Sequence, residues 1–210
     1  SKVLADGYGQ CNTKGTLFMA ILRACNIPCR VHGFTIDKKL QKGEYENCTI
    51  SNAELSSGDL SGYIFTDCLF EGSNLSLCTV KNTSFRNVVF HNCKLLGVVW
   101  ENCNPFLLNF SFDHCIMNMG SFYGMKLKKI KFLTCSVMEV DFTETELISA
   151  VFDDCIFTKA TFYKTNLQGA DLTTSADYTI DPESNNVKNA KFRWPAAAGL
   201  LDKYNISLDQ

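Results

Sequence analysis

The stretch VFDDCIFTKATFYKTNLQGADL, Val151 to Leu172, sets Phe152, Phe157, Phe162, Leu167 and Leu172 five residues apart. A helix repeats every 3.6 residues and a strand every two, so neither asks for a large apolar side chain at every fifth position. Extended backwards, the period runs through Leu147, Phe142, Val137, Phe132, Leu127, Phe122, Met117, Phe112 and Leu107. It then slips by two and resumes at Trp100, Leu95, Phe90, Phe85, Val80, Leu75, Phe70, Phe65, Leu60, Leu55, Ile50 and Tyr45. Fourteen centres after the slip and twelve before it make 26, all apolar or aromatic, in a chain that is 46% apolar. Chance would produce that run about once in a billion trials, so the period decides the fold.

A second position repeats with the first. Two residues before each centre the side chain is mostly small, as at Cys48, Ala53, Gly58, Cys68, Ser73, Cys78, Thr83 and Cys93, then Cys115, Gly120, Cys135, Ala150, Cys155, Ala160, Thr165 and Ala170. Tyr63, Phe110 and Met125 depart from this rule, and the remaining positions are mainly polar. Each unit therefore points one large and one small residue inward. Four units close a square coil of 20 residues, and successive coils stack at the strand spacing of roughly 4.8 Å, so six and a half coils give a rod of roughly 30 Å.

The segments NLQGADL (Asn166 to Leu172) and ELSSGDLSGYIF (Glu54 to Phe65) resemble the A(D/N)LxX signature of pentapeptide-repeat proteins. The resemblance covers residues 44–193 and implies an all-β, right-handed quadrilateral β-helix. It further implies a function without catalysis or cofactor. Several members of that family are acidic rods with the width and charge of duplex DNA. They bind type II topoisomerases, DNA gyrase or topoisomerase IV, and protect them from quinolones without contacting nucleic acid themselves.

The slip contains Asn104-Pro105, and a proline cannot donate to a sheet ladder, so residues 101–106 are expected to form a bulge or short external loop. A tolerated insertion accounts for it; a recognition loop that exposes Phe106 is the other reading. After Leu172 the segment Thr173 to Asn186 reads as a turn-rich loop, yet Phe192 lies 20 residues on, in phase. WPAAAGLLDKY (Trp194 to Tyr204) reads as a short helix with Pro195 at its first position, covering the open end of the coil, with a tail to residue 210. The resemblance implies that some related proteins dimerise through this segment, which makes a homodimer through it one expectation.

Residues 1–43 lack the period and carry seven basic and two acidic residues. GYGQCNTKGTLFMAILRACNIPCRVHGFTI (Gly7 to Ile36) resembles the start of a transglutaminase-like core, a helix followed by a strand, and Cys11 falls on that family's thiol nucleophile. A helix N-terminus favours a thiolate there. The family also needs a His and an Asp from later strands, where the repeats begin instead. His32 lies on the strand after the helix, and His91 and His114 fall within the coil segment, so Cys11 lacks a matching base; the balance is against catalysis, with a cysteine acyl-transfer enzyme using Cys11 as the alternative to a binding rod or scaffold.

The eleven cysteines, with no secretory leader in view, read as reduced thiols in the cytoplasm, and seven of them (48, 68, 78, 93, 115, 135 and 155) as small buried hydrophobes. Cys115, Cys135 and Cys155 stack in a row, a poor match to a tetrahedral zinc site, and no metal-ligand spacing or phosphate loop is legible. No run of 18 apolar residues suggests a membrane span. Residues 44–210 hold 20 acidic and 13 basic residues, net −7. Glu139, Asp141, Glu144, Glu146, Asp153 and Asp154 occur with no Lys or Arg between Lys131 and Lys159, just after the basic run Lys126 to Lys131. They read either as a solvated face or, with Phe106, as the surface that binds a protein partner.

Overall fold

The computed structural model describes residues 40 and 42–206, together with the backbone of 30–32 and 35–36. The five-residue period becomes a four-sided coil because the chain turns after every centre. Two residues past a centre the backbone enters the left-handed region: Asn47 (φ 51°), Gly62 (72°), Asp67 (52°), Gly72 (57°) and Asn82 (55°). There a Cβ costs about 1–2 kcal/mol, except that Gly is free of it and Asn and Asp tolerate it. Before the slip the corners are mostly of these three types. After it Met119, Lys129, Thr134, Glu139, Glu144 and Lys164 take the same conformation, held there by the coils above and below. At the tighter corners the centre carbonyl accepts from the amide three residues on, as Leu75 from Cys78 (3.1 Å) and Leu147 from Ala150 (3.0 Å). That is the bond of a turn whose third residue has positive φ.

Successive coils pair in parallel. One sheet stacks β1 (Arg30–His32), β3 (Glu44–Glu46), β5 (Ile64–Thr66) and β7 (Ser84–Arg86). The other stacks β2 (Thr35–Ile36), β4 (Thr49–Ser51), β6 (Leu69–Glu71), β8 (Val88–His91), β9 (Phe110–Asp113), β10 (Lys131–Leu133) and β11 (Val151–Asp153). The register advances by 20, Phe70 on Phe90, and by 22 across the slip, Phe90 on Phe112. The other two sides are joined by single bridges such as Asn74 to Lys94 and Ser121 to Asp141. β1 and β2 pair with β3 and β4, so the ladders run across the division at residue 43 that composition suggests.

Inside, the centres form aromatic columns. Phe70, Phe90, Phe112, Phe132 and Phe152 stack with centroids 5.0–5.3 Å apart. Trp100, Phe122, Phe142 and Phe162 stack on another side at 5.2–5.9 Å. The small inward residues do more than fit. Their hydroxyls donate to a centre carbonyl 23 residues back, as Thr83 to Leu60 (2.7 Å), Thr145 to Phe122 (2.8 Å) and Ser175 to Phe152 (2.9 Å). The thiols of Cys68, Cys93 and Cys115 make the weaker version of this contact to Tyr45, Phe70 and Phe90, at 3.3–3.4 Å.

The slip differs from the sequence reading in one respect. Leu107, expected to be a buried centre, is 63% exposed and takes a left-handed corner (φ 56°). The first phase in fact continues through the buried Cys103 to Pro105, and the two extra residues follow the corner at Leu107. The space this leaves is filled by Phe110, buried against Trp100 (5.3 Å) and Phe85 (6.1 Å). The outward loop falls later than the expected 101–106: after a 3-10 turn at Trp100–Asn102, the Asn102 carbonyl and Asn104 amide still pair with the coil below (2.8 and 2.9 Å), and the ladder resumes at the Asn109 amide (2.9 Å), leaving the loop between them.

The C-terminal helix proves to be two 3-10 turns, Ala196–Leu200 and Asp202–Tyr204, with Pro195 preceding the first. The loop before it sends Tyr178 and Ile180 into the core, and Phe192 returns in phase, Lys191 bridging Asp171. Ala196 and Leu200 pack on that end of the core. Gly199 sits where a Cβ would fall 1.8 Å from the Tyr178 carbonyl oxygen. Lys203 bonds both Asp181 (2.7 Å) and Glu183 (2.5 Å), and Tyr204 donates to Glu183 (2.8 Å).

The eight cysteines among the described residues are buried, and Cys68, Cys78, Cys93, Cys103, Cys115, Cys135 and Cys155 stand outside any disulfide. Burial pushes the Cys78 thiol up to about 11, and the neighbouring Cys135 thiol followed by burial pushes Cys115 up to about 12. At pH 8 roughly one Cys78 in a thousand is thiolate, the reactive form. Native protein treated with a maleimide at that pH is expected to label none of these eight within minutes. Any fast labelling should map to Cys11, Cys25 or Cys29. A fast-labelled peptide carrying Cys115 or Cys135 would contradict the buried row.

Candidate functional site

The outward positions of a coil are its corners and the residues flanking each centre, and the six acidic residues all occupy them. Glu139 and Glu144 sit at left-handed corners on adjacent edges, as does Asp154 on a third. Asp141 and Glu146 precede the centres Phe142 and Leu147, and Asp153 follows Phe152. The six therefore encircle one coil as a belt and do not share a face. Within the belt only Asp153 and Asp154 are neighbours, both tied to Thr174, whose hydroxyl donates to Asp153 (2.8 Å) and accepts from the Asp154 amide (2.9 Å). Asp141 caps its own turn through the Thr143 amide (2.8 Å).

Cations border the belt on both sides. Lys128 reaches Glu146 (3.3 Å) and Lys159 reaches Glu139 (3.9 Å), both pairs largely in solvent. Lys126 lies beneath Glu146 in the ladder. Pairs this exposed contribute little stability, about 0–1 kcal/mol, but they interrupt the negative surface.

Phe106 is exposed, its amide held by the Asn104 side chain (3.0 Å) and its ring 5.9 Å from the Arg86 guanidinium. Beside the bulge lies a notch of about 310 Å³ lined in part by Pro105, Leu108, Tyr123 and Met125. Tyr123 connects the two features that the sequence kept apart. Its hydroxyl donates to Glu144 (3.2 Å), whose carboxylate holds the phenol above its ordinary pKa. No period flags Tyr123; it follows a centre by one, as many polar residues do. Cys11 lies outside the described residues, and of His32 only the backbone is described, in β1. Among the described residues no helix is long and apolar enough to cross a membrane.

The pentapeptide-repeat family model matches residues 64–99 and 136–173 in eight copies. Among solved structures, the coil is similar to two trypsin-treated variants of QnrB1, described as a plasmid-mediated fluoroquinolone resistance protein. One aligns with a TM-score of 0.59 at 17% identity, covering 87% of this chain and 98% of that one. The other aligns with a TM-score of 0.58 at 17% identity, covering 88% and 100%. At that identity the likeness is one of fold. No curated protein matches the chain in sequence. The described chain is a β-helical coil, and residues 64–99 and 136–173 of it carry pentapeptide repeats.

Proposed function

We propose that this pentapeptide-repeat coil is a non-catalytic rod that binds a type II topoisomerase in place of DNA and shields it from quinolones. The observation that carries the reading is the fold shared along nearly the whole length of a fluoroquinolone resistance protein, joined to a net charge of −7 over residues 44–210. A groove built to hold phosphates attracts an acidic rod at long range. The belt supplies six of the 20 acidic residues in one coil.

Gyrase supercoiling in the presence of a quinolone tests the reading. The chain is expected to raise the drug concentration that halves supercoiling. A variant carrying Glu144→Gln, Glu146→Gln, Asp153→Asn and Asp154→Asn should keep its melting temperature and lose about tenfold or more in gyrase affinity, with a shallower salt dependence. Equal affinity in the two proteins would remove the belt from the interface. Absence of any gyrase binding would sink the topoisomerase reading.

The bulge favours a second reading, a scaffold that grips another protein partner through the exposed Phe106 and Leu107 beside the notch. In that case Phe106→Ser abolishes binding while the belt variant does not.

A further inference from the structure

On the side formed by β6, β8 and β9, each buried phenylalanine is followed by an outward residue that can bind a metal ion. Glu71 follows Phe70, His91 follows Phe90 and Asp113 follows Phe112, and the ladder sets Glu71 beside His91 and His91 beside Asp113. His114 comes next, at a left-handed corner (φ 53°) that brings its ring back toward the same point. His91 Nδ1 lies 2.8 Å from one carboxylate oxygen of Asp113, and His114 Nδ1 lies 2.6 Å from the other. The two rings are 5.7 Å apart and inclined by 68°. One ligand atom from each of the three residues falls within 4.8 Å of the others. The other nitrogen of His91, Nε2, faces Glu71 at 3.9 Å.

We propose that His91, Asp113 and His114 form a binding site for a divalent transition-metal ion of the Zn²⁺ class, with Glu71 orienting His91. Two imidazoles and a carboxylate are the donors such ions prefer, whereas Mg²⁺ and Ca²⁺ take mostly oxygen. Zinc bonds of about 2.0–2.2 Å put tetrahedral donors about 3.3 Å apart. The two histidine–carboxylate contacts need to open by roughly half an ångström, and the two histidine nitrogens, within 4.8 Å, to close toward about 3.3 Å, by side-chain rotation on a fixed sheet. The side chains are partly exposed, so an ion has an entry path and water can complete its coordination. When His91 binds through Nδ1, its Nε2–H is left 3.9 Å from Glu71, which a turn of the Glu71 side chain would bring into the hydrogen bond of carboxylate–histidine–zinc sets. The site joins the coils on either side of the two-residue insertion, so an occupied site ties the two phases together. Without an ion, the same contacts are ordinary hydrogen bonds from two imidazoles to one carboxylate, which is the competing account.

The chain has only three histidines, so imidazole NMR resolves the site in the full-length protein. Addition of ZnCl₂ to chelator-treated protein is expected to shift the nitrogens of His91 and His114 and leave His32 unchanged. Co²⁺ should give visible bands without the near-ultraviolet absorption of thiolate ligation. Calorimetry should find one such site, weakened at least tenfold by His91→Gln or Asp113→Asn and about tenfold by Glu71→Gln, all surface changes that leave the coil folded. The zinc-dependent rise in melting temperature should vanish with EDTA. Unshifted His91 and His114 signals in tenfold excess Zn²⁺ would overturn the proposal. So would undiminished affinity in a His91→Gln, His114→Gln double variant.

Discussion

Replacing Phe132 by alanine is expected to lower the stability of the coil by about 3–5 kcal/mol. The ring is fully buried, stacked between Phe112 (5.1 Å) and Phe152 (5.0 Å), with Phe122 edge-on at 5.8 Å. Strands β9 and β11 fix the backbone on both sides, so the walls cannot close on the cavity. For a chain of this size the loss corresponds to a fall in melting temperature of roughly 6–20 °C. Each coil touches only its neighbours, so the lesion also weakens coupling between the halves of the rod and should broaden the transition. Denaturation followed by circular dichroism measures both. A loss under about 1 kcal/mol would place Phe132 outside the column and overturn the five-residue phase.

The slip gives the second large effect, through a contrast. Phe110→Ala is expected to cost about 3–5 kcal/mol, because Phe110 fills the gap left by the outward loop and touches Trp100, Phe85 and Phe112. Leu107→Ala should change stability by no more than about 0.5 kcal/mol, and Leu107→Gly should stabilise by about 1 kcal/mol by relieving the left-handed backbone. A reading that continues the second phase back to Leu107 predicts the reverse order. Thermal melts of the three variants decide between them, and a costly Leu107→Ala would rule out the packing described here.

These two cases mark how far the sequence carries. The column from Phe70 to Phe152 was legible because its period has no rival among regular structures. Leu107 fitted the same period but not the same place, since being apolar does not tell an inward centre from an outward corner. The signal lay at Phe110, a large residue where small ones are the rule. The hydroxyl and thiol bonds to centre carbonyls were hidden because Cys, Ser and Thr read simply as small. The acidic residues were visible as a run along the chain, but a run of sixteen residues in a 20-residue coil wraps around the rod instead of lining it. His91, Asp113 and His114 escaped because the insertion changes their spacing from 20 to 22, and only the ladder restores the match.

The phase-slipped ladder also gives every outward side chain of the coil a pair of map coordinates. Dividing the residue number by 20, after subtracting two beyond the bulge, leaves a remainder that names the meridian and a quotient that names the height, at roughly 4.8 Å per step. Glu71, His91 and Asp113 (71, 91 and 111 after the subtraction) share a remainder of 11; Leu77, Gly97 and Met119 (77, 97 and 117) share 17. A substitution at one address changes that point of the map and no other, because the inward centres that set the grid lie elsewhere in each unit. A coil of this kind can therefore keep its fold at 17% identity, because the grid constrains the inward positions and leaves the outward addresses free.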